Sequence, residues 1–180
     1  MRGFDPFNDR TARDLRNNLS SALVDQLVGD AADAIDIQAG YWKEQHLAPV
    51  YLAYLNQQQA SYTKVLAEIH AAGHTDPKYQ AVVLWNAGLF FEMHELLESI
   101  WYKAMEPERT ALKGLIQAAG AFVHNLRGKP DAARGLALRA RQHLQAGAEA
   151  LGYITNLDQL IQDLLRLPQK PTRLQLDPSL

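Results

Sequence analysis

Leu15, Leu19, Leu23 and Leu27 recur every four positions, and this spacing sets the terms for what the chain can become. Residues four apart share one face of an α-helix but also one face of a strand, so the surrounding pattern decides. Here alternating runs rich in Val, Ile and Thr are missing and three-to-four spacing dominates, which predicts an all-α fold. The first helix follows the turn-like Asp5-Pro6-Phe7-Asn8 and falters near Gly29. A segment holding Ile35, Ile37 and Tyr41-Trp42 is ambiguous. Pro49 then suits the first turn of a long helix through about Ala72, closed by Gly73, with Leu52, Leu55, Tyr62, Val65, Leu66 and Ile69 as its buried face.

Beyond residue 75 the chain reads as short helix pairs. Asp76-Pro77 starts one helix and Gly88 ends it; "FFEMHELLESIWYKA" is the next; Pro107 starts a third, Gly128 ends it, and an Ala- and Arg-rich helix follows. The two glycines lie forty positions apart, the signature of a repeated helical hairpin, similar to the tetratricopeptide pattern but too short for a superhelix. The expected architecture is a helical bundle of two packed helix-turn-helix hairpins with an N-terminal helical extension. Its parts are an extension over 1–75, a hairpin core over 76–168 and an extended tail over 169–180. Thr155, with Asp158 three residues on, is positioned to cap a last amphipathic helix, and Pro168, Pro171 and Pro178 hold the tail out of helix.

Composition narrows the chemistry. A chain of 180 residues, 47% of them hydrophobic, can bury a core without external staples. There is no cysteine, which removes thiol nucleophiles and thiolate metal sites and leaves His, Asp and Glu as ligands. The formal charge of −2 gives no electrostatic case for nucleic acid. The first ten residues are polar and no long apolar run occurs, so neither membrane insertion nor export is expected and a cytoplasmic location follows.

The stretch "FFEMHELLESIW" resembles the metalloprotease motif His-Glu-x-x-His with Glu98 where the second His would stand. At about 100° per residue, His94 falls near the centre of an apolar arc shared with Phe90, Met93, Leu97 and Trp101, and Glu98 falls between His94 and Phe91. Both are expected to point inward, with Glu95 at the rim and Glu92 in solvent. A carboxylate buried alone is costly, so Glu98 needs a partner. The next helix offers Gln117 and His124 on a face with the small residues Gly114, Ala118 and Ala121, which would let a bulky neighbour approach. His94, Glu95, Glu98, Trp101, Gln117 and His124 are therefore expected to cluster. Two readings follow: a hydrogen-bonded His-carboxylate-amide network, or a divalent metal held by His94, Glu98 and His124.

A charge asymmetry accompanies the cluster. Five Glu stand against Lys103 between Glu92 and Glu108, whereas four Arg and Lys129 stand against Asp131 between Arg127 and Arg141. The two helices could pair within the fold or across a dimer, or present solvated faces.

Residues from about 79 to 151 resemble the family catalogued as domain of unknown function 309. Its members read like "FNxGxFFExHExLExxW", then "GLIQxAxAxxH" and an Ala-rich helix; this chain carries Asn86, Gly88, Phe91, Glu92, His94, Glu95, Glu98, Trp101, Gly114, Leu115, Ile116, Gln117 and His124 at matching places. Met93 stands where Ala is usual, and Lys129-Pro130 replaces an Asn-centred turn. The resemblance implies a small helical bundle and brings no established activity. The function favoured on these grounds is a non-catalytic module that binds a protein partner or itself. The alternative is a metal-dependent enzyme, hydrolytic in type, built on the His/Glu cluster.

Overall fold

The computed structural model describes residues 3–29 and 31–179, and the chain divides into two compact units, one ending at His74 and the other beginning at Thr75. Among the described residues there are eight α-helices and one 3-10 turn, with no strand beyond an isolated bridge between Ile154 and Leu176. No described helix is long and apolar enough to cross a membrane.

The first unit contains α1 (Arg10–Val28), α2 (Ala34–Glu44) and α3 (Pro49–Ala72). Asp9 caps α1 by accepting from the Ala12 N–H, and its other oxygen accepts from the Tyr51 hydroxyl at 2.6 Å, which ties the starts of α1 and α3 together. Leu15, Leu19 and Leu23 are fully buried, as their spacing predicts, alongside Ile35, Ala39 and Trp42 of α2 and Leu55, Tyr62, Val65 and Ile69 of α3. Two residues assigned to the buried face of α3 depart from it: Leu52 is 39% exposed and Leu66 is half-buried. The first turn of α3 is anchored instead through Tyr51 and through Tyr54, whose ring stacks on Phe4 with centroids 3.6 Å apart, and this rotates Leu52 outward. Gly73 closes α3 at φ 69°, a left-handed conformation that glycine adopts without steric penalty.

The second unit runs α4 (Pro77–Asn86), α5 (Phe90–Trp101), α6 (Glu108–Leu126), α7 (Pro130–Ala146), a 3-10 turn (Ala148–Leu151) and α8 (Leu157–Arg166). Gly88 and Gly128, at φ 76° and 65°, make the turns between α4 and α5 and between α6 and α7. Helix α6 is central, packing against both α5 and α7. Trp85, Phe90 and Phe122 form a mutual aromatic cluster with centroids 4.9, 5.3 and 5.6 Å apart. The small-residue face of α6 does receive a close neighbour, but it is α7. A Cβ on Gly114 would lie 2.8 Å from the backbone N of Leu144, and one on Gly147 would lie 2.6 Å from the backbone N of Ala111.

The proline-rich tail is extended and hydrogen-bonded to the bundle. Asn86 donates to Leu174 O and accepts from Leu174 N, Trp85 Nε1 donates to Thr172 O, and Asn156 accepts from Gln175 N while donating to Arg173 O. Thr155 does not cap α8 as its spacing suggested. Asn156 occupies the cap position, and both the N–H and the hydroxyl of Thr155 donate to Gln175 O, because the tail supplies a carbonyl there.

The α6–α7 contact yields a paired expectation. Gly114→Ala should lose a net 1–2 kcal/mol, roughly, in urea unfolding, since overpacking against backbone outweighs the helix-propensity gain of about 1 kcal/mol. Gly135→Ala meets only the tip of Arg139 at 3.9 Å and should be neutral or stabilising. Equal midpoints for the two variants would contradict this packing.

Candidate functional site

Helix α5 buries Phe90, Met93, Leu96 and Leu97, and it also buries Glu92, which is only 3% exposed. The expectation that Glu92 is solvated is therefore corrected. Helices α4 and α6 both cover α5, so its buried arc is wider than a one-sided amphipathic pattern implies. Glu98 is corrected in the opposite sense: its side chain is 52% exposed, and that of His94 28%.

These side chains stand at a pocket of about 340 Å³ between α5 and α6. His94, Glu98 and Trp101 line it from α5; Gln117 and His124 line it from α6, joined by Lys113 and Ile116; Gly120 and Leu136 also contribute. A Cβ on Gly120 would already touch Leu136 Cδ1 at 3.4 Å, so the missing side chain preserves the recess. Trp101 forms a fixed wall: its indole N–H donates to Arg109 O at 3.0 Å and the Arg109 guanidinium sits 5.1 Å from the ring centroid.

His94 lies between two carboxylates, with Nδ1 3.2 Å from Glu95 Oε1 and Nε2 3.5 Å from Glu98 Oε1. Its ring stacks on Phe91 with an interplanar angle of 11°. Glu95 is outside the pocket lining, yet one donor atom from each of His94, Glu95 and Glu98 lies within 4.8 Å of the others. His124 lines the same pocket without entering that group of three.

Residues 79–136 match the family model described as domain of unknown function (DUF309). The match spans nearly all of α4, the whole of α5 and α6 and the first turns of α7, and so contains every residue that lines the pocket. No curated protein and no solved structure matches the chain.

One contributor falls outside the DUF309 match and escaped the sequence reading. His143 Nδ1 is 2.8 Å from Gln117 Oε1 and 2.9 Å from Arg139 O. His143 neighbours Leu144, which packs on Gly114, so the α6–α7 register brings it to Gln117; no spacing rule within one helix encodes that register. Lys113 was also overlooked, although its position four residues before Gln117 places both on one face of α6.

Burial, with a smaller effect from the Lys129 ammonium, holds the His124 pKa below its usual 6.5. The unfolded chain therefore takes up this proton first as pH falls. The contribution of neutral His124 to stability is complete above about pH 6.5 and is lost as pH falls through the lowered folded value. Wild type should lose unfolding midpoint more steeply than His124→Gln between about pH 7 and pH 5. Parallel profiles would show that burial of this imidazole is not coupled to folding.

Proposed function

We propose that the α5–α6 pocket is a divalent-cation site and that the protein is a metal-dependent helical protein with hydrolysis as its reaction class. The observation that carries this reading is the convergence of donor atoms from His94, Glu95 and Glu98 within 4.8 Å, at the mouth of a recess. With ligand bonds of about 2.0–2.2 Å, donors arranged tetrahedrally on one ion lie roughly 3.3–3.6 Å apart, so these side chains must draw in by as much as about 1.3 Å. The exposure of Glu98 leaves it free to do so. One nitrogen and carboxylate oxygens suit zinc, manganese or iron(II). If His94 ligates through Nε2, its Nδ1–H donates to Glu95, which then orients the ring and leaves His94 and Glu98 as the protein ligands, with water completing the shell.

A cation at this point would supply a Lewis acid and lower the pKa of a coordinated water. Across the pocket, the depressed pKa of His124 keeps its imidazole neutral near pH 7, with a lone pair able to take a proton. A closed, purely architectural network is disfavoured by the half-exposed Glu98.

Titration calorimetry with Mn²⁺ or Zn²⁺ at neutral pH should give one site, weakened at least about tenfold by His94→Ala and by Glu98→Gln, as even orienting partners are worth about 10–100-fold. No saturable binding, or affinity indifferent to both changes, would overturn the metal reading.

A second reading is favoured by Ile37 and Tyr41. They lie four residues apart on one face of α2, are 71% and 52% exposed, and form an apolar strip suited to self-association or a protein partner. Under that reading sedimentation should be concentration-dependent and Ile37→Glu should abolish the dependence; a strict monomer would count against self-association.

A further inference from the structure

The contacts of His143 determine which end of Gln117 faces the pocket. Arg139 O is a carbonyl and can only accept, and it lies 2.9 Å from His143 Nδ1. Nδ1 must therefore carry the proton. Gln117 lies 2.8 Å from the same nitrogen and must then present its oxygen, because an amide N–H directed at an N–H would be repulsive. This leaves the Gln117 NH₂ group as the end available to the pocket that Gln117 lines.

Lys113 lines the same pocket one turn earlier on α6. The α6 wall thus offers an ammonium and an amide NH₂ as donors, next to Ile116 and the neutral His124 imidazole, while the facing α5 wall offers His94 and the Glu98 carboxylate. Donors on one wall and a cation-binding group on the other suit a ligand that is itself an oxyanion. A bare Glu98 would repel such a ligand, whereas a cation held there would attract it.

We infer that the pocket takes a small oxyanion, phosphate or carboxylate, received by the Gln117 NH₂ and the Lys113 ammonium beside the cation on α5, with His143 as the positioning residue that fixes the Gln117 amide. This rests on the cation reading of His94, Glu95 and Glu98, and it adds the class of ligand that shares the pocket. Binding is coupled in both directions: the anion should tighten metal binding by the factor with which the metal tightens anion binding.

The discriminating variant is Gln117→Glu. It keeps an oxygen to accept from His143 Nδ1–H but replaces the pocket-facing donor with an acceptor. Mn²⁺-loaded protein should enhance the ³¹P relaxation of inorganic phosphate, or the ¹³C relaxation of acetate, and the stronger of the two identifies the oxyanion. Gln117→Glu should retain Mn²⁺ and the unfolding midpoint yet weaken the anion about tenfold to a hundredfold, the scale of a lost charge-assisted hydrogen bond. Lys113→Met should weaken it in the same direction.

If wild type binds Mn²⁺ but shows no saturable anion effect, or one indifferent to Gln117→Glu, the oxyanion assignment falls and the cation site stands. If wild type binds no Mn²⁺, the cation reading falls. Phosphate or acetate titration without metal then decides the α6 wall, supporting it if binding is abolished by Gln117→Glu and overturning it if there is no binding. The ¹⁵N shifts of His143 give an independent check: a protonated Nδ1 is expected, and an Nε2–H tautomer would overturn the orientation of Gln117.

Discussion

The close approach of α6 and α7 is the constraint on which the second unit depends. Gly114 lets the backbone at Leu144 come near, and Gly147 does the same for the backbone at Ala111, so the two helices are locked in one register at both contacts. Dispersion contacts at this separation are individually small but numerous, and the contact admits no extra methyl group without movement. The register has a chemical consequence: it carries His143 to Gln117 and so fixes the amide. It also commits one face of α6 to α7 and turns the face bearing Lys113, Gln117 and His124 toward the recess beside α5.

That recess is a place where close packing stops. Elsewhere α5 is covered well enough to bury even Glu92, and the aromatic cluster of Trp85, Phe90 and Phe122 fills the adjoining core. At Gly120 the side chain is absent, Trp101 is held at the edge by Arg109, and His94, Glu98, Lys113, Gln117 and His124 face the opening beside the apolar Ile116 and Leu136. Apolar filling would stabilise the fold more, so a partly open pocket with this lining reads as a place for a ligand. The tail contributes at the C-terminal end of α4: its hydrogen bonds to Asn86 and Trp85 restrain the residues that lead into the turn at Gly88 and so into α5.

Much of this was legible in the sequence wherever one helix decides the outcome. The leucine stripe of α1, the long helix closed by Gly73 and the turns at Gly88 and Gly128 follow from local spacing and backbone preference. The residues His94, Glu98, Trp101, Gln117 and His124 could be named together because each lies on a predictable face. What failed depended on how many neighbours a helix has. A wheel drawn for α5 assumes one buried side; the second covering helix buries Glu92, whereas Glu98 borders the open recess and stays half-exposed. Thr155 was misjudged for a related reason, since the tail twenty residues away supplies its acceptor. His143 was beyond reach because its role exists only through the α6–α7 register.

The most direct test of the account is X-ray absorption at the metal edge of protein loaded with one equivalent of Zn²⁺ or Mn²⁺. The account predicts a shell with a single imidazole nitrogen and carboxylate or water oxygens, at about 2.0–2.2 Å for zinc. It also predicts that the imidazole scattering disappears in His94→Ala. A shell of oxygens alone, a shell with two or more imidazoles, or an unchanged spectrum in His94→Ala would contradict it.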